Sequence, residues 1–190
     1  MLEHMPKIVG EALRGVGPGL DKLMINADFQ GAPGGIAVSS PAFADGAPIP
    51  ADHTEDGRKV SPPLAWRGVP PAAAEVVVVI EDADSPTPAP LVHTILLGLP
   101  GRDGALAEGE LKSAGAQGRA HHLGKNSFLK AEYLPPDPPT GHGPHRYAVQ
   151  VFALDAALSL DAEPGRGALV EAMQGHVMAK GLLIGTYERA

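Results

Sequence analysis

The sequence predicts a mainly β protein built around one domain. Its 190 residues include 24 glycines and 20 prolines, which favour turns and short connections over long helices. Three runs, at 75–80, 91–99 and 146–154, have the β-branched or alternating composition of strands. A hydrophobic content of 44% is enough for one substantial core, which must rest on aliphatic residues because only 4% of the chain is aromatic. We therefore expect a mainly β protein with many turns and irregular connections.

The first 25 residues are predicted to form an extension outside a single domain at 26–190. Ile8, Leu13 and Val16 have the spacing of one helix face, but nearby glycines and a proline weaken a helix there. We expect a loosely held segment that serves as a dimer arm or is partly disordered. Residues 23–25 are predicted as the first strand, and 31–63 as loops.

The three strand-like runs differ in their pattern. The run at 75–80 contains five consecutive β-branched residues, which is typical of a strand that is covered on both faces. The runs at 91–99 and 146–154 are read as two more strands, in which alternate residues lie on opposite faces: His93, Ile95, Leu97 and Leu99 share one face of the first run, and Tyr147, Val149 and Val151 share one face of the second. The connection at 100–145 is long and rich in Gly, Pro and His, and we expect it to be functional or to contain short elements.

A C-terminal helix is predicted at 167–180. Leu169, Met173 and Val177 recur every four residues, which is the spacing of one helix face. Gly181 is well placed to cap this helix. Residues 182–187 are then expected to form a last strand or an extended segment.

Charge and composition exclude several classes of function. A net charge of −7 argues against binding to nucleic acid, and no apolar run approaches the length of a transmembrane helix. The chain contains no cysteine, so disulfides, cysteine-bound zinc and thiol catalysis are impossible. No P-loop or dinucleotide motif occurs, and no cofactor is expected. Because no signal peptide is recognisable, we expect a cytoplasmic protein.

The first candidate cluster follows the strand at 75–80. Asp82 and Asp84 project to the same side of an extended chain, and Pro86 then fixes a turn. His93 begins the returning strand and is predicted to lie beside Asp82, which would fix the tautomer of the imidazole and favour its charged form. The alternative is an ordinary turn rich in Asp, Ser and Pro.

The second candidate cluster precedes the strand at 146–154. A stiff proline-rich stretch at 135–139 leads to Gly141 and Gly143, whose backbone N–H groups can approach a ligand closely. His145 stands at the start of the strand, and Tyr147 follows two residues later. The alternative is a proline-rich loop entering a strand, with Arg146 in a structural ion pair.

Other polar residues give weaker signals. Ser85 lacks the G-x-S-x-G motif of a nucleophile, and the adjacent His121 and His122 are poorly spaced for chelation. His176 is predicted to be a buried, hydrogen-bonded helix residue, and His142 either a residue at the pocket rim or a loop position. A metal-assisted hydrolase remains an alternative function; its candidate ligands are Asp82, Asp84, His93 and His145.

Four blocks of the sequence resemble the phosphatidylethanolamine-binding protein family, also called Raf kinase inhibitor-like proteins, and within it the short bacterial and archaeal branch. They are S-P-P-L-A-W at 61–66 with G-V-P at 68–70, D-A-D-S-P at 82–86 with His93, P-P-T-G-H-G-P-H-R-Y at 138–147, and G-H-V-M-A-K at 175–180 with G-T-Y-E at 185–188. Together they cover about 60–188.

The resemblance implies a β-sandwich of two antiparallel sheets with a few peripheral helices, including a C-terminal one, and a small anion pocket at one end. Ligands in this family are phosphate-like anions or phosphoryl head groups, and its members act as binders, kinase-pathway modulators and protease inhibitors without a generally accepted enzymatic activity. We accordingly expect a non-enzymatic binder of a small anion, with a kinase or protease as a possible partner and a homodimer as a possible assembly. The residues assigned to the anion site are Asp82, Asp84, Pro86, His93, Pro138, Pro139, Gly141, His145 and Tyr147.

The sequence departs from the family pattern at the predicted pocket. Pro135 stands where the family often has glycine, so one possible N–H donor is lost. Val92 and Thr94 replace aromatic residues that usually flank the pocket histidine, and the cysteine of many bacterial members is absent. We expect Asp82 to contact an imidazole or a protonated phosphate oxygen, since a bare carboxylate repels an anion.

Overall fold

Two antiparallel sheets form the framework of the computed structural model, which describes residues 6–111 and 122–189. One sheet has three strands in the order β1-β2-β5, and the other has five in the order β6-β4-β3-β7-β8. The strands are β1 Ala37–Ser39, β2 Leu64–Arg67, β3 Glu75–Asp82, β4 Leu91–Pro100, β5 Gly104–Leu106, β6 His122–Gly124, β7 His145–Leu154 and β8 Val177–Tyr187. The helices are α1 Lys7–Ala12, α2 Met24–Ala27 and α3 Arg166–Met173, with 3₁₀ turns at Leu20–Lys22 and Ala51–His53.

The five-stranded sheet is covered on both faces, as the β-branched run at 75–80 predicted. All eight residues of β3 are buried. Val76, Val78 and Ile80 belong to the core that contains Trp66 of the smaller sheet, whereas Val77 and Val79 face a second core that is completed by α2 and α3. The prediction of a mainly β fold with few helices is confirmed.

The first predicted strand is wrong. Residues 23–25 lead into α2, because the backbone N–H of Met24 donates to Oε2 of Glu81 at 2.8 Å and that of Ile25 donates to Oε1 of Gln150 at 2.7 Å. Both acceptors are buried side chains on β3 and β7. Side chains of the sheet thus satisfy the first turn of a helix that lacks a capping residue of its own.

The predicted C-terminal helix at 167–180 is too long. Helix α3 ends at Met173, Gly175 adopts a φ of +80°, and β8 begins at Val177 and pairs with β7. Gly181 is therefore a strand residue and not a cap. A Cβ at this position would lie 2.2 Å from the carbonyl oxygen of Ile36, so glycine permits a close backbone approach.

The connection at 100–145 holds short elements, as one of the two expectations for it stated, and the N-terminal segment contacts the domain. The connection at 100–145 contains β5 and β6, and His121 lies outside the described residues. Residues 6–25 pack on the domain, with the N–H of Gly19 donating to the carbonyl oxygen of Ala83 at 2.8 Å. No helix in the described part of the chain is long and apolar enough to cross a membrane.

Candidate functional site

The two polar clusters meet at one end of the five-stranded sheet. Asp82 lies opposite Tyr147 in the register of β3 with β7, and opposite Leu91 in the register of β3 with β4. His145 begins β7, and His93 lies near the start of β4. Strand pairing therefore brings together side chains that are 63 positions apart in the chain, and it buries them.

Asp82, His145 and His142 form a buried hydrogen-bonded chain, called the Asp–His–His chain below. Nδ1 of His145 donates to Oδ2 of Asp82 at 2.7 Å, and Nε2 of His145 lies 2.8 Å from Nδ1 of His142. Oδ1 of Asp82 accepts the backbone N–H of Asp84 at 2.8 Å, which fixes the carboxylate at the end of the strand. The predicted pairing of Asp82 with His93 is wrong, because the carboxylate bonds to His145 instead.

His93 has a different partner and a different charge from those predicted. Its Nδ1 donates to the carbonyl oxygen of Leu134 at 2.7 Å, so Nδ1 carries a proton. Burial lowers the pKa of His93 below its ordinary value of 6.5, and the nearby charge of Asp82 opposes this shift without cancelling it. The ring is therefore neutral at neutral pH, and its Nε2 is a hydrogen-bond acceptor.

Two buried polar atoms beside Asp82 lack a hydrogen-bond partner among the described residues. They are Nε2 of His93 and the hydroxyl oxygen of Tyr147, whose rings meet edge to face with centroids 5.2 Å apart. Burial raises the pKa of Tyr147 well above 10, so its hydroxyl keeps its proton. Unsatisfied polar atoms are costly inside a protein and mark a place where a ligand or water completes the bonding.

A cleft of about 370 Å³ opens over Asp82 and His93. It is lined by Glu55, Asp82, Leu91, His93, Asn126, Phe128, Lys130, Glu132, Leu134, Pro135 and Asp137. Its four carboxylates each have a cationic or imidazole partner: Glu55 has Lys59, Asp82 has His145, Glu132 has Lys130, and Asp137 has Arg189. The acceptor Nε2 of His93 is thus the unsatisfied polar group among these lining side chains.

Several predicted site residues lie outside this cleft. Asp84 forms a bidentate pair with Arg146, at 2.7 Å to Nε and 2.6 Å to Nη2. Burial acts to raise the pKa of Asp84, but the hydrogen bonds and charge of Arg146 outweigh it, and the pKa lies below 3.8. Pro86 is half-buried in the turn after β3. Asp84 therefore stabilises the start of β7 through its ion pair.

The proline–glycine loop shapes the site by its backbone. The N–H of Gly141, predicted as an anion donor, donates to the carbonyl oxygen of Arg189 at 3.1 Å and is already used. The carbonyl oxygen of Pro138 accepts from Arg189, and that of Pro139 accepts from the N–H of His142 at 3.1 Å. These bonds, with a φ of +81° at Gly141, turn His142 inward against His145.

Sequence reasoning missed the outer wall of the cleft. Asn126 organises a tight turn there, because its Oδ1 accepts the backbone N–H groups of Phe128 and Lys130 at 2.9 and 3.2 Å. This turn presents Phe128 and Lys130 to the cleft. The Asn-Ser pair in 126–127 signalled a turn, but nothing in the sequence placed it over Asp82.

A second cavity, of about 220 Å³, lies at the other end of the Asp–His–His chain. It is lined by Arg14, Gly15, Val16, Asp84, His142, Gly143, Pro144 and Glu188. Asp82 thus faces one cavity and His142 the other. Among residues 6–111 and 122–189, no group of three or more His, Asp and Glu side chains is arranged to hold a metal ion, and the hydrolase alternative has no support.

Comparison with known families identifies the fold. The family model of the phosphatidylethanolamine-binding protein matches residues 39–188. The chain belongs to this family. The matched range contains both predicted clusters and the cleft, whereas residues 6–38 precede it. Membership establishes a binding-protein fold for the domain that carries the site.

Relatives and solved structures agree with this assignment. A UPF0098 protein of Pyrococcus abyssi is 36% identical over 155 residues, which span 81% of this chain and 85% of that protein. A protein named lipoprotein LppC, from Mycobacterium tuberculosis, is 33% identical over 153 residues, or 80% of this chain and 72% of its own length. The crystal structure of the PEBP homologue CT736 from Chlamydia trachomatis matches with a TM-score of 0.74 at 34% identity, covering 82% of this chain and 99% of that one.

Proposed function

We propose that this protein is a non-enzymatic binding protein that holds a small phosphoryl-bearing anion in the cleft over Asp82 and His93. The observation that carries the proposal is that His93, which lines this cleft, has a buried Nε2 with no hydrogen-bond partner among residues 6–111 and 122–189. A ligand that bonds to this nitrogen gains from satisfying it, because the polar atom has already lost its hydration. Membership in the phosphatidylethanolamine-binding protein family supports ligand binding. The sequence also lacks the G-x-S-x-G motif of a nucleophile.

The protonation of His93 sets how an anion binds. A neutral imidazole with its proton on Nδ1 offers a lone pair at Nε2, so the ligand must bring a proton as a P–OH group, or His93 must take one up. Both routes add one proton to the complex relative to free dianionic phosphate. The association constant therefore rises as the pH falls, by up to about tenfold per pH unit for one linked proton.

The pairing of the cleft carboxylates with cations or an imidazole also supports the binding of an anion. Each of the four carboxylates already faces a cation or an imidazole, which reduces their repulsion of a bound phosphoryl group. Lys130, which is largely exposed at the rim, supplies a positive charge that can reach a ligand oxygen. Leu91, Phe128 and Leu134 add apolar surface for the organic part of a phosphorylated ligand.

Calorimetric titration with inorganic phosphate from pH 5.5 to 8, at constant ionic strength, tests the proposal. We expect binding that strengthens towards low pH, and a loss of about tenfold or more in the variant His93→Asn. Asparagine can still donate to Leu134 from the position of Nδ1 but has no atom at Nε2. His122→Asn, at an exposed position of β6, is the matched control. Wild-type affinity in His93→Asn, at every pH, would refute the proposal.

A kinase or protease partner, a homodimer and a cytoplasmic location stay predictions from the sequence. The relative LppC is named a lipoprotein, so the cellular location of this protein needs a test of its own. Fractionation of the native host and pull-down with the purified chain are the direct tests. Neither result affects the proposal for the cleft.

A further inference from the structure

Arg189, in the segment that follows β8, is held by two carboxylates from different loops. Its Nε and Nη2 donate to the carboxylate of Asp56 at 2.9 and 2.8 Å, and its Nη1 donates to Oδ1 of Asp137 at 2.7 Å. Only 15% of the Arg189 side chain is exposed. The residue lies just beyond the range 39–188 that the family model matches.

Asp137 connects Arg189 to the cleft. It lines the cleft from the proline-rich stretch at 135–139, and its side chain is 14% exposed. A carboxylate at this place repels a phosphoryl group unless a cation lies beside it, because charges are screened less where solvent is largely excluded. A guanidinium is always protonated in proteins, so Arg189 supplies this cation at any pH at which the protein is folded.

Arg189 differs from the lysines that pair with other carboxylates of the cleft. The side chains of Lys59, beside Glu55, and of Lys130, beside Glu132, are 53% and 68% exposed. Exposed ion pairs of this kind are solvated and weak. Arg189 is the least exposed of these three cations, so its charge is screened least and has the strongest effect on the carboxylate that it contacts.

The charges of Arg189 and Asp137 also reach the buried groups beside which the phosphoryl anion is proposed to bind. Burial has the largest influence on the pKa values of His93 and Tyr147, lowering the first and raising the second. The negative charge of Asp137 raises both values, and the positive charge of Arg189 lowers that of Tyr147. An anion bound beside these two rings would therefore lie within the field of both charges.

Further hydrogen bonds fix the position of Arg189. Its Nη1 also donates to the carbonyl oxygen of Pro138 at 3.1 Å, and its own carbonyl oxygen accepts the N–H of Gly141 at 3.1 Å. On the opposite side, the hydroxyl of Tyr187 donates to Oδ2 of Asp56 at 2.7 Å and holds that carboxylate for the guanidinium. The cation therefore has a defined place behind the wall of the cleft.

We propose that Arg189 is a positioning residue that makes the cleft selective for anions, because it neutralises Asp137 from behind the cleft wall. This inference rests on the proposed function of the same cleft. Without Arg189, the negative charge of Asp137 would act on the bound phosphoryl group and weaken its binding. A purely structural role for Arg189 makes a different prediction for a variant in which Asp137 is neutral as well.

Removing the charge of Arg189 is the first part of the test. Arg189→Gln takes away the cation beside Asp137, and we expect calorimetry with inorganic phosphate at pH 7 to show binding weaker by about tenfold or more. Arg189→Lys keeps the charge but not the forked guanidinium, so most of the affinity should remain. Arg58→Gln is the matched control and should leave phosphate binding unchanged. Arg58 does not line the cleft, and it forms exposed ion pairs with Asp52 and Glu108.

Restoring neutrality at the wall is the second part, and it separates charge from structure. Adding Asp137→Asn to Arg189→Gln removes the carboxylate that the lost cation had neutralised, so affinity should return to within about threefold of the wild type. A double variant that binds phosphate as weakly as Arg189→Gln would overturn the inference. So would wild-type affinity in Arg189→Gln, or a loss in Arg189→Lys as large as that in Arg189→Gln. No phosphate binding by the wild-type chain would instead refute the proposed function, and with it the inference.

Discussion

Glu81 and Asp82 are adjacent in β3, both are buried carboxylates, and they serve opposite purposes. Glu81 faces the core beneath α2 and α3, where Nε of Arg166 lies 2.7 Å from Oε1 and where Met24 and Gln150 each donate to Oε2 at 2.8 Å. Asp82 points to the other face of the sheet, towards the cleft. Beside it lie Nε2 of His93 and the hydroxyl of Tyr147, which have no hydrogen-bond partner within 6–111 and 122–189.

This difference shows how, within a single strand, a polar cluster that supports the fold can be distinguished from one that binds a ligand. The cluster of Glu81 is closed, since Arg166 also pairs with Asp28 at 2.8 Å and the carboxylate oxygens are satisfied. The cluster of Asp82 is left incomplete. A closed network contributes to the fold, whereas an open one gains from a ligand. We expect variants in the first to change stability, and variants in the second to change binding.

The largest expected effect is on the closed cluster. Arg166→Met leaves Glu81 buried without its cation, and we expect the free energy of unfolding to fall by about 3 kcal/mol. Urea denaturation at pH 7 measures this loss. Phosphate affinity of the folded fraction should stay unchanged, because the network lies on the other face of β3. A loss of affinity without a loss of stability would contradict the division between the two faces.

A pH-dependent loss of stability should come from the open cluster. Burial lowers the pKa of His93, so the folded chain binds fewer protons than the unfolded chain as the pH falls below 6.5. The contribution of the neutral His93 ring to the free energy of unfolding is therefore fully present above pH 6.5. Below that pH it declines, by up to about 1.4 kcal/mol per pH unit. His142 acts in the same direction. Thermal unfolding between pH 5 and 8 should show a shallower decline in His93→Asn, and an identical profile would contradict this origin.

A smaller effect of the opposite sign is expected at Tyr147. Tyr147→Phe removes a buried hydroxyl that has no hydrogen-bond partner in the described part of the chain, so the free energy of unfolding should rise by about 1 kcal/mol. Denaturant titration of both proteins measures the change. A clear fall in stability would show that the hydroxyl is satisfied in the free protein, and would weaken the distinction between the two clusters.

The smallest expected change in stability is that of His93→Asn at pH 7. The amide can keep the bond to Leu134, so the free energy of unfolding should change by less than about 1 kcal/mol while phosphate affinity falls. The same two measurements, denaturation and calorimetry, separate these effects. A large loss of stability with unchanged affinity would assign His93 to the fold.

The sequence predicted the parts of the fold that depend on local pattern. The apolar composition of β3, β4 and β7 was sufficient, since these strands are buried on both faces and such burial leaves a direct signature in the sequence. The spacing of apolar residues led to a wrong helix boundary near the C-terminus, because Leu169, Met173 and Val177 keep a helical period although a turn separates Met173 from Val177. Gly175, with its positive φ, divides that stretch into α3 and β8.

The site was predictable in its location but not in its pairing. The family resemblance directed attention to Asp82, His93 and His145, and the structure brings their segments together. Their partners depend on register: Asp82 lies opposite Tyr147 in β7, while an irregularity between Ile80 and Glu81 shifts the pairing with β4. Residues of the outer wall, such as Glu55 and Lys130, come from loops whose approach no local pattern reveals.

The most direct test of the central claim is the imidazole nitrogen spectrum of His93 in the ¹⁵N-histidine-labelled protein. At pH 7 without ligand, Nδ1 should be protonated and Nε2 should have the shift of a bare nitrogen. Saturating inorganic phosphate should move Nε2 towards the shift of a hydrogen-bonded or protonated nitrogen. An Nε2 signal that phosphate leaves unchanged, in a protein that binds phosphate by calorimetry, would contradict the account.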